Sequence, residues 1–180
     1  SSIQNNDKVG VIFFSDKIEK FIPPKKGKKH ILLIIREIIN FEPESSGTNI
    51  DVALQFMTNA IKKRCSAFLI SDFIDDHDYF KSMSIANRKH DLASIQVYDR
   101  RDAEMPDVGL VRVRDLERGT DRWLDTSSSS ARKAYAKAWY ERQQRLASVT
   151  ARSGVDLASV TTDEDFVKAL LGLFRRRGSR

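Results

Sequence analysis

Short apolar runs alternate with segments of helical periodicity along most of this chain. Four of the runs predict strands, and those at residues 8–15 and 67–70 have so little polar interruption that we expect them to be buried strands, the second covered on both faces. The four runs span residues 8–15, 67–70, 92–98 and 155–160. Residues 18–22 alternate in polarity, so we expect an edge strand that pairs with the first run and ends at Pro23 and Pro24, because proline cannot donate to a ladder.

Apolar residues at helical spacing predict helices between these strands. The segments are residues 30–40, 50–63, 78–89, 131–152 and 166–174. The first is also β-branched enough to be a strand, but its length and the pair Arg36 and Glu37 favour a helix. The serine run at residues 127–130 predicts a cap for the long helix that follows, and Gly154 predicts its end.

A different pattern near residues 110–125 predicts a β-hairpin. Val111 and Val113 alternate with Arg112 and Arg114, and residues 117–120 have the composition of a turn. Elsewhere strands and helices alternate, which favours an α/β fold. We therefore predict a mostly parallel, Rossmann-like sheet with helices on both faces, into which the hairpin is inserted.

Composition narrows the class of protein. The 180 residues suit one domain, and the net charge of +6 is spread over short basic clusters without interleaved aromatics, which argues against nucleic-acid binding. Cys65 is the single cysteine, so no disulfide forms within the chain, and a cytoplasmic, reducing location is expected. No apolar run approaches the roughly 20 residues of a membrane span.

The best candidate for a functional site lies at the end of the run at residues 67–70. Asp72 follows that strand, and Thr48 lies in a Ser-Ser-Gly-Thr-Asn segment that precedes a helix. A hydroxyl and a carboxylate at the carboxyl edge of a sheet are ligands that Mg²⁺ accepts. The alternative is that both side chains cap helices. Neighbours that could belong to the same metal loops are Ser46, Gly47, Ser71 and Asp75.

An acidic cluster follows this strand, at Asp75, Asp76 and Asp78. It could enlarge a cation site, but such clusters are more often solvated helix starts, stabilised by the helix dipole. An aspartate after an apolar strand also occurs in phosphatases with an aspartate nucleophile, which leaves a metal-dependent hydrolase or phosphatase using Asp72 as the alternative function. Those enzymes need further carboxylates and a phosphate-pairing lysine, for which the sequence offers no clear set.

Several segments in order carry a family resemblance. Residues 6–16 resemble the second strand of von Willebrand factor A-like domains. The whole series resembles the bacterial family called domain of unknown function fifty-eight, found with MoxR-type AAA+ ATPases. The matching segments include Ile22-Pro23-Pro24, Gly47-Thr48-Asn49, Ile70-Ser71-Asp72-Phe73, Met105-Pro106-Asp107 and Trp123-Leu124-Asp125-Thr126.

The resemblance implies a metal-ion-dependent adhesion site, which such domains build from three loops. Thr48 matches the second loop and Asp72 the third, while the Asp-x-Ser-x-Ser motif of the first loop is not found at the required place. We therefore expect residues 1–180 to form a single von Willebrand factor A-like domain that is incomplete at its N-terminus and lacks the first strand. The implied function is a non-enzymatic, Mg²⁺-dependent protein interaction module acting with a MoxR-type ATPase.

Overall fold

A computed structural model of the chain describes residues 7–114 and 121–178. The strands are β1 (Val9–Phe14), β2 (Ile18–Lys25), β3 (Ser66–Ser71), β4 (Asp91–Tyr98), β5 (Leu110–Arg114), β6 (Asp121–Asp125) and β7 (Asp156–Thr161). The helices are α1 (Lys28–Asn40), α2 (Ile50–Ala60), α3 (Phe80–Lys89), α4 (Arg100–Ala103), α5 (Ser129–Arg152) and α6 (Phe166–Gly178).

A parallel sheet of β3, β4 and β7, in that order, confirms the α/β class. Ala67 of β3 lies opposite Leu92 of β4, and Ala93 of β4 lies opposite Asp156 of β7. Helix α3 connects the first pair of strands, and α5 precedes β7. All three strands therefore end at the same edge of the sheet, where Ser71 and Tyr98 lie.

Helices cover this sheet on two sides, because successive residues of a strand face opposite ways. Leu92 packs into a larger core with Leu54 of α2, Met83 of α3 and Leu146 of α5. Its neighbour Ala93 belongs to a smaller core with Ala158 of β7 and Leu173 of α6. The prediction of helices on both faces is therefore correct for the parallel sheet, although the α6 side is more thinly covered.

The hairpin of β1 and β2 forms a sheet of its own among the described strands, which differs from the single sheet that we predicted. β2 also continues to Lys25, so the prediction that Pro23 and Pro24 end it was wrong. Both prolines are tolerated because β2 pairs only with β1, and its other edge has no ladder among the described residues that would need their missing N–H groups.

The prediction that the strand at residues 67–70 is covered on both faces was also wrong. β3 is the outermost strand of the parallel sheet, and Phe68 and Ile70 are 43% and 59% exposed. On that face Phe68 meets Phe174 of α6 edge to face, at 5.9 Å between ring centroids. The apolar character of this strand therefore reflects one packed face and one open face.

The remaining elements follow the sequence pattern closely. Residues 28–40 are helical, the Ser128 side chain caps α5 by accepting from Ala131 N, and α5 ends before Gly154, whose φ of 67° favours glycine. β5 and β6 form the predicted antiparallel hairpin, with Arg112 opposite Trp123. The predicted turn at residues 117–120 lies outside the described residues.

Candidate functional site

Hydrogen bonds connect three loops beside the carboxyl end of β3. They join β1 to β2 at residues 15–17, precede α2 at residues 45–49, and follow β3 at residues 72–77. The backbone N–H of Asn49 donates to the Ser15 carbonyl at 2.9 Å, and that of Ile50 donates to the Asp75 carboxylate at 2.7 Å. The structure therefore connects the loop that carries Thr48 to the one that carries Asp72.

The loop of Asp72 is a tight polar turn. Asp72 Oδ1 accepts from the backbone N–H of Ile74 at 3.0 Å, and Ser71 Oγ accepts from that of Phe73 at 3.0 Å. Phe73 has a φ of 59°, a left-handed conformation that is uncommon for an aromatic residue, while its side chain is buried in the core. Asp72 thus shapes its own turn, and the alternative that it caps the next helix was wrong, since Asp78 accepts from Phe80 N there.

Asp75 is the carboxylate that holds the loops together. Its side chain is fully buried, and besides Ile50 N it accepts from the backbone N–H of His77 at 2.8 Å and from His77 Nδ1 at 2.7 Å. The prediction that Asp75 belongs to a solvated helix start was therefore wrong. The Asp75 carboxylate is buried because it accepts a hydrogen bond from the Ile50 N–H at the start of α2. That N–H has no partner within the helix.

His77 is the partner of Asp75 on the solvent side. The hydrogen bond to the Asp75 carboxylate, its negative charge and a bond to the backbone of Thr48 together raise the pKa of His77 above its ordinary value, against a smaller effect of desolvation. The contact with Asp75 therefore stabilises the imidazolium form of His77 relative to an isolated histidine. The sequence showed His77 only as a histidine among acids, without the specific contact.

Thr48 is half-buried at the end of its loop. The next residue, Asn49, is the cap of α2, and its Oδ1 accepts from Val52 N at 3.1 Å. The alternative that Thr48 caps this helix was therefore wrong. Ser46 and Gly47 precede it, and Gly47 packs so closely on Asp16 that a Cβ there would lie 3.2 Å from Asp16 Cβ.

Two carboxylates of this region were missed by sequence reasoning. Asp16 and Glu19 follow β1, and Ser15 Oγ donates to Glu19 at 2.7 Å. A hydrogen bond with the Ser45 side chain lowers the pKa of Asp16, and the bond from Ser15 lowers that of Glu19. A signal was present for Asp16, which follows an apolar strand as Asp72 does.

A buried amide supports the site from within the sheet. Gln96 of β4 is 1% exposed, its Nε2 donates to the Asp72 carbonyl at 3.3 Å, and its Oε1 accepts from Ser159 Oγ at 3.0 Å. This chain of bonds links β7 through β4 to the turn after β3. No sequence pattern indicated this contact, because a lone glutamine in an apolar strand does not identify its partners.

The described residues do not assemble a complete magnesium site. Mg²⁺ requires six oxygens in near-octahedral geometry, usually with one or two carboxylates. Asp75 is occupied by N–H donors, and one oxygen of Asp72 is bound to its own turn. Throughout residues 7–114 and 121–178, no group of three or more His, Cys, Asp or Glu side chains is placed to hold a metal.

Cys65 and His90 form a second polar contact, away from this edge. Cys65 Sγ lies 3.4 Å from His90 Nδ1 at the amino end of β3, and burial raises the pKa of the thiol and lowers that of the imidazole. Burial therefore disfavours the charged form of both groups. Cys65 is half-buried.

Two clefts in the described part of the chain lie away from this site. One of about 470 Å³ opens between α5 and the start of β7, and another of about 380 Å³ lies between α5 and Phe80. Neither is lined by Thr48 or Asp72. Among the helices that the structure describes, none combines the length and apolar character that crossing a bilayer requires.

Comparison with known proteins places this sequence in a family. The sequence profile described as protein of unknown function DUF58 matches residues 1–145. An uncharacterized protein of Mycobacterium bovis is 26% identical over 177 residues, covering 96% of this chain and 56% of the relative. An uncharacterized protein of Mycobacterium avium is 26% identical over 162 residues, covering 88% and 95%. The chain thus spans little more than half the length of the first of these relatives.

Solved structures share the fold. The protein BatB from Bacteroides thetaiotaomicron superposes with a TM-score of 0.55 at 16% identity, covering 97% of this chain and 81% of that one. An aerotolerance-related membrane protein from Bacteroides fragilis gives a TM-score of 0.56 at 14% identity, with the same coverage. The match to the family profile covers most of the sequence, and the chain therefore belongs to the DUF58 family of proteins of unknown function.

Proposed function

We propose that this chain is a non-enzymatic protein–protein interaction module. The observation that carries the proposal is an apolar surface on one side of the parallel sheet, which we call the open sheet face. It consists of exposed side chains of β3 and α6: Phe68, Ile70, Val167, Leu171 and Phe174.

The open sheet face is contiguous across two elements. Val167, Leu171 and Phe174 are spaced i, i+4, i+7 on α6, so they form one stripe of that helix, and Phe174 contacts Phe68 of β3. Soluble monomers rarely expose contiguous apolar patches of this kind unless they bind a partner. Burial of these side chains in a complex would supply the main favourable free energy of association.

The edge of β3 strengthens the proposal. Among the described strands, β3 pairs only with β4, so its outer edge has backbone N–H and C=O groups that no strand satisfies. Strand addition to such an edge is a common mode of recognition, in which main-chain bonds give affinity and alternate side chains give specificity. Phe68 and Ile70 are the alternate side chains here.

The family resemblance supplies the finer part of the proposal. It implies a von Willebrand factor A-like domain and a MoxR-type AAA+ ATPase as the partner protein. Magnesium dependence through Thr48 and Asp72 is part of the same implication, but the described donors do not support it, and binding through the open sheet face does not require it.

The test is binding of a MoxR-type ATPase from the same organism, measured by calorimetry. Ile70→Lys is expected to weaken binding by at least about tenfold, because it places a charge in the centre of the interface. Ile85→Lys is the matched control, since Ile85 is a similarly exposed isoleucine on α3, and we expect unchanged affinity.

Two results would contradict the proposal. Equal loss of affinity in both variants would mean that the open sheet face is not the binding surface. Hydrolysis of phosphate esters by the purified chain, abolished in Asp72→Ala, would replace the proposal with the metal-dependent phosphatase.

A further inference from the structure

The described contacts of helix α1 with the β1–β2 hairpin lie on one side of the helix. His30 Nε2 lies 2.9 Å from the Val9 carbonyl, Ile34 is buried, and Glu37 pairs with Lys20 at 2.6 Å. These three residues are spaced i, i+4, i+7, so they form a single inner face of the helix that contacts the β1–β2 hairpin. A helix held in this way normally presents polar residues on its outer side.

The outer side of α1 is aliphatic instead. Leu32, Ile35 and Ile39 are 54%, 47% and 75% exposed, and with Lys28 they follow the spacing i, i+4, i+7, i+11. We call these four residues the α1 stripe. Ile38 and Leu33 flank it and are also exposed. The stripe lies opposite the inner face, so these side chains contribute no packing to the core.

Lysines are concentrated at the start of the same helix. Lys25, Lys26, Lys28 and Lys29 are all exposed, and none forms an ion pair with a residue in the described part of the chain. Lys28 and Lys29 occupy the first turn, which contains no acidic residue and is capped by Gly27 without a side-chain bond. Positive charge there opposes the helix dipole, so these lysines do not stabilise the helix.

We propose that α1 binds the surface of a bilayer that contains anionic phospholipids. The helix would lie in the plane of the interface, with Leu32, Ile35 and Ile39 of the α1 stripe inserted among the acyl chains. The four lysines would contact the anionic headgroups. This combination of an aliphatic outer side with clustered lysines is the signature of an interfacial amphipathic helix.

The composition of the stripe favours a bilayer over a protein partner. Protein interfaces are enriched in aromatic residues, such as Phe68 and Phe174 of the open sheet face, whereas the apolar side chains of the stripe are Leu and Ile only. The stripe is a convex helix surface about 16 Å long, which suits a fluid interface that needs no matching groove. The α1 stripe shares no residue with the open sheet face, so each proposal can be tested independently of the other.

The experiment is co-sedimentation of the chain with vesicles of phosphatidylcholine, with and without phosphatidylglycerol. We expect binding to the anionic vesicles that weakens as salt is raised, and much weaker binding to phosphatidylcholine alone. Every substituted side chain is exposed, so we expect each variant to fold, and circular dichroism checks this.

Two pairs of variants separate the charged and apolar contributions. Lys28→Gln with Lys29→Gln is expected to weaken partitioning roughly 30-fold, while the control Lys62→Gln with Lys63→Gln, an exposed pair after α2, leaves it within about twofold. Ile35→Ser with Ile39→Ser is expected to reduce partitioning at least roughly 100-fold, because both side chains lose their transfer to an apolar medium.

Other outcomes would overturn the proposal. These are no partitioning onto anionic vesicles, equal partitioning onto both vesicle types, or equal effects of the test and control lysine pairs. Concentration-dependent self-association that Ile35→Ser with Ile39→Ser abolishes, without vesicle binding, would assign the stripe to contact between copies of the chain.

Discussion

The carboxylate of Asp75 accepts a 2.7 Å hydrogen bond from the backbone N–H of Ile50, and so joins the loop after β3 to the first turn of α2. The two residues are separated by 25 positions in the sequence. Their contact decides the geometry of the candidate site, because Thr48 and Asp72 lie on the two loops that it connects.

Replacing Asp75 by alanine should destabilise the protein. The substitution leaves the N–H groups of Ile50 and His77 without their buried acceptor. The free energy of unfolding should therefore fall by about 3 kcal/mol. Urea unfolding measures it. Asp76→Ala at the exposed neighbour is the control and should change stability by less than about 0.5 kcal/mol. Similar losses in the two variants would show that the contact with α2 contributes little.

Stability should depend on pH through His77. Its pKa is raised in the folded protein by Asp75, so its contribution is fully present below the ordinary value of about 6.5 and is lost as pH rises through the raised pKa. Unfolding measured across this range should therefore show a decline with rising pH that is absent in His77→Gln. An unchanged pH profile in that variant would assign the decline to another group.

Gly10 should be intolerant of a side chain. A Cβ at this position of β1 would lie 2.8 Å from the Ile22 carbonyl oxygen and 2.8 Å from Pro24 N, both backbone atoms of β2. Gly10→Ala should therefore destabilise the hairpin by about 1–3 kcal/mol.

Gly172 provides the matched comparison for Gly10. It lies inside α6, where the nearest atom to an added Cβ is the flexible end of Arg176 at 3.8 Å. Gly172→Ala should stabilise the protein by about 0.5–1 kcal/mol, because alanine loses less backbone entropy in a helix. Thermal unfolding of both variants tests the opposite signs, and destabilisation of equal size would contradict the close approach at Gly10.

Magnesium should bind this chain weakly. Asp75 is held by N–H donors, and the described residues contain no group of three or more acidic, histidine or cysteine side chains placed to hold a metal, so calorimetry should show no saturable heat with Mg²⁺ up to about 1 mM. Thr48→Ala and Asp72→Ala should leave the titration unchanged. Saturable binding that either variant abolishes would contradict the occupied donor set and restore the metal site that the resemblance implies.

The sequence determined the elements themselves. Local periodicity identified α1, α2, α3, α5 and α6, because an amphipathic helix must repeat its apolar residues every three or four positions whatever it packs against. The cap at Ser128 and the helix end at Gly154 could also be predicted, because helix caps depend on the neighbouring backbone alone. The hairpin of β5 and β6 was equally visible from its alternation.

Tertiary structure decided which faces are covered and which polar groups meet. The apolar run of β3 was read as buried on both sides, yet Phe68 and Ile70 face outward, because hydrophobicity records a preference and not the presence of a covering element. Pro23 and Pro24 lie within β2 because only its position at the edge, a property of the sheet, removes the need for their N–H groups. The roles of Asp75 and Gln96 depend on partners at least 24 residues away, which no local pattern can specify.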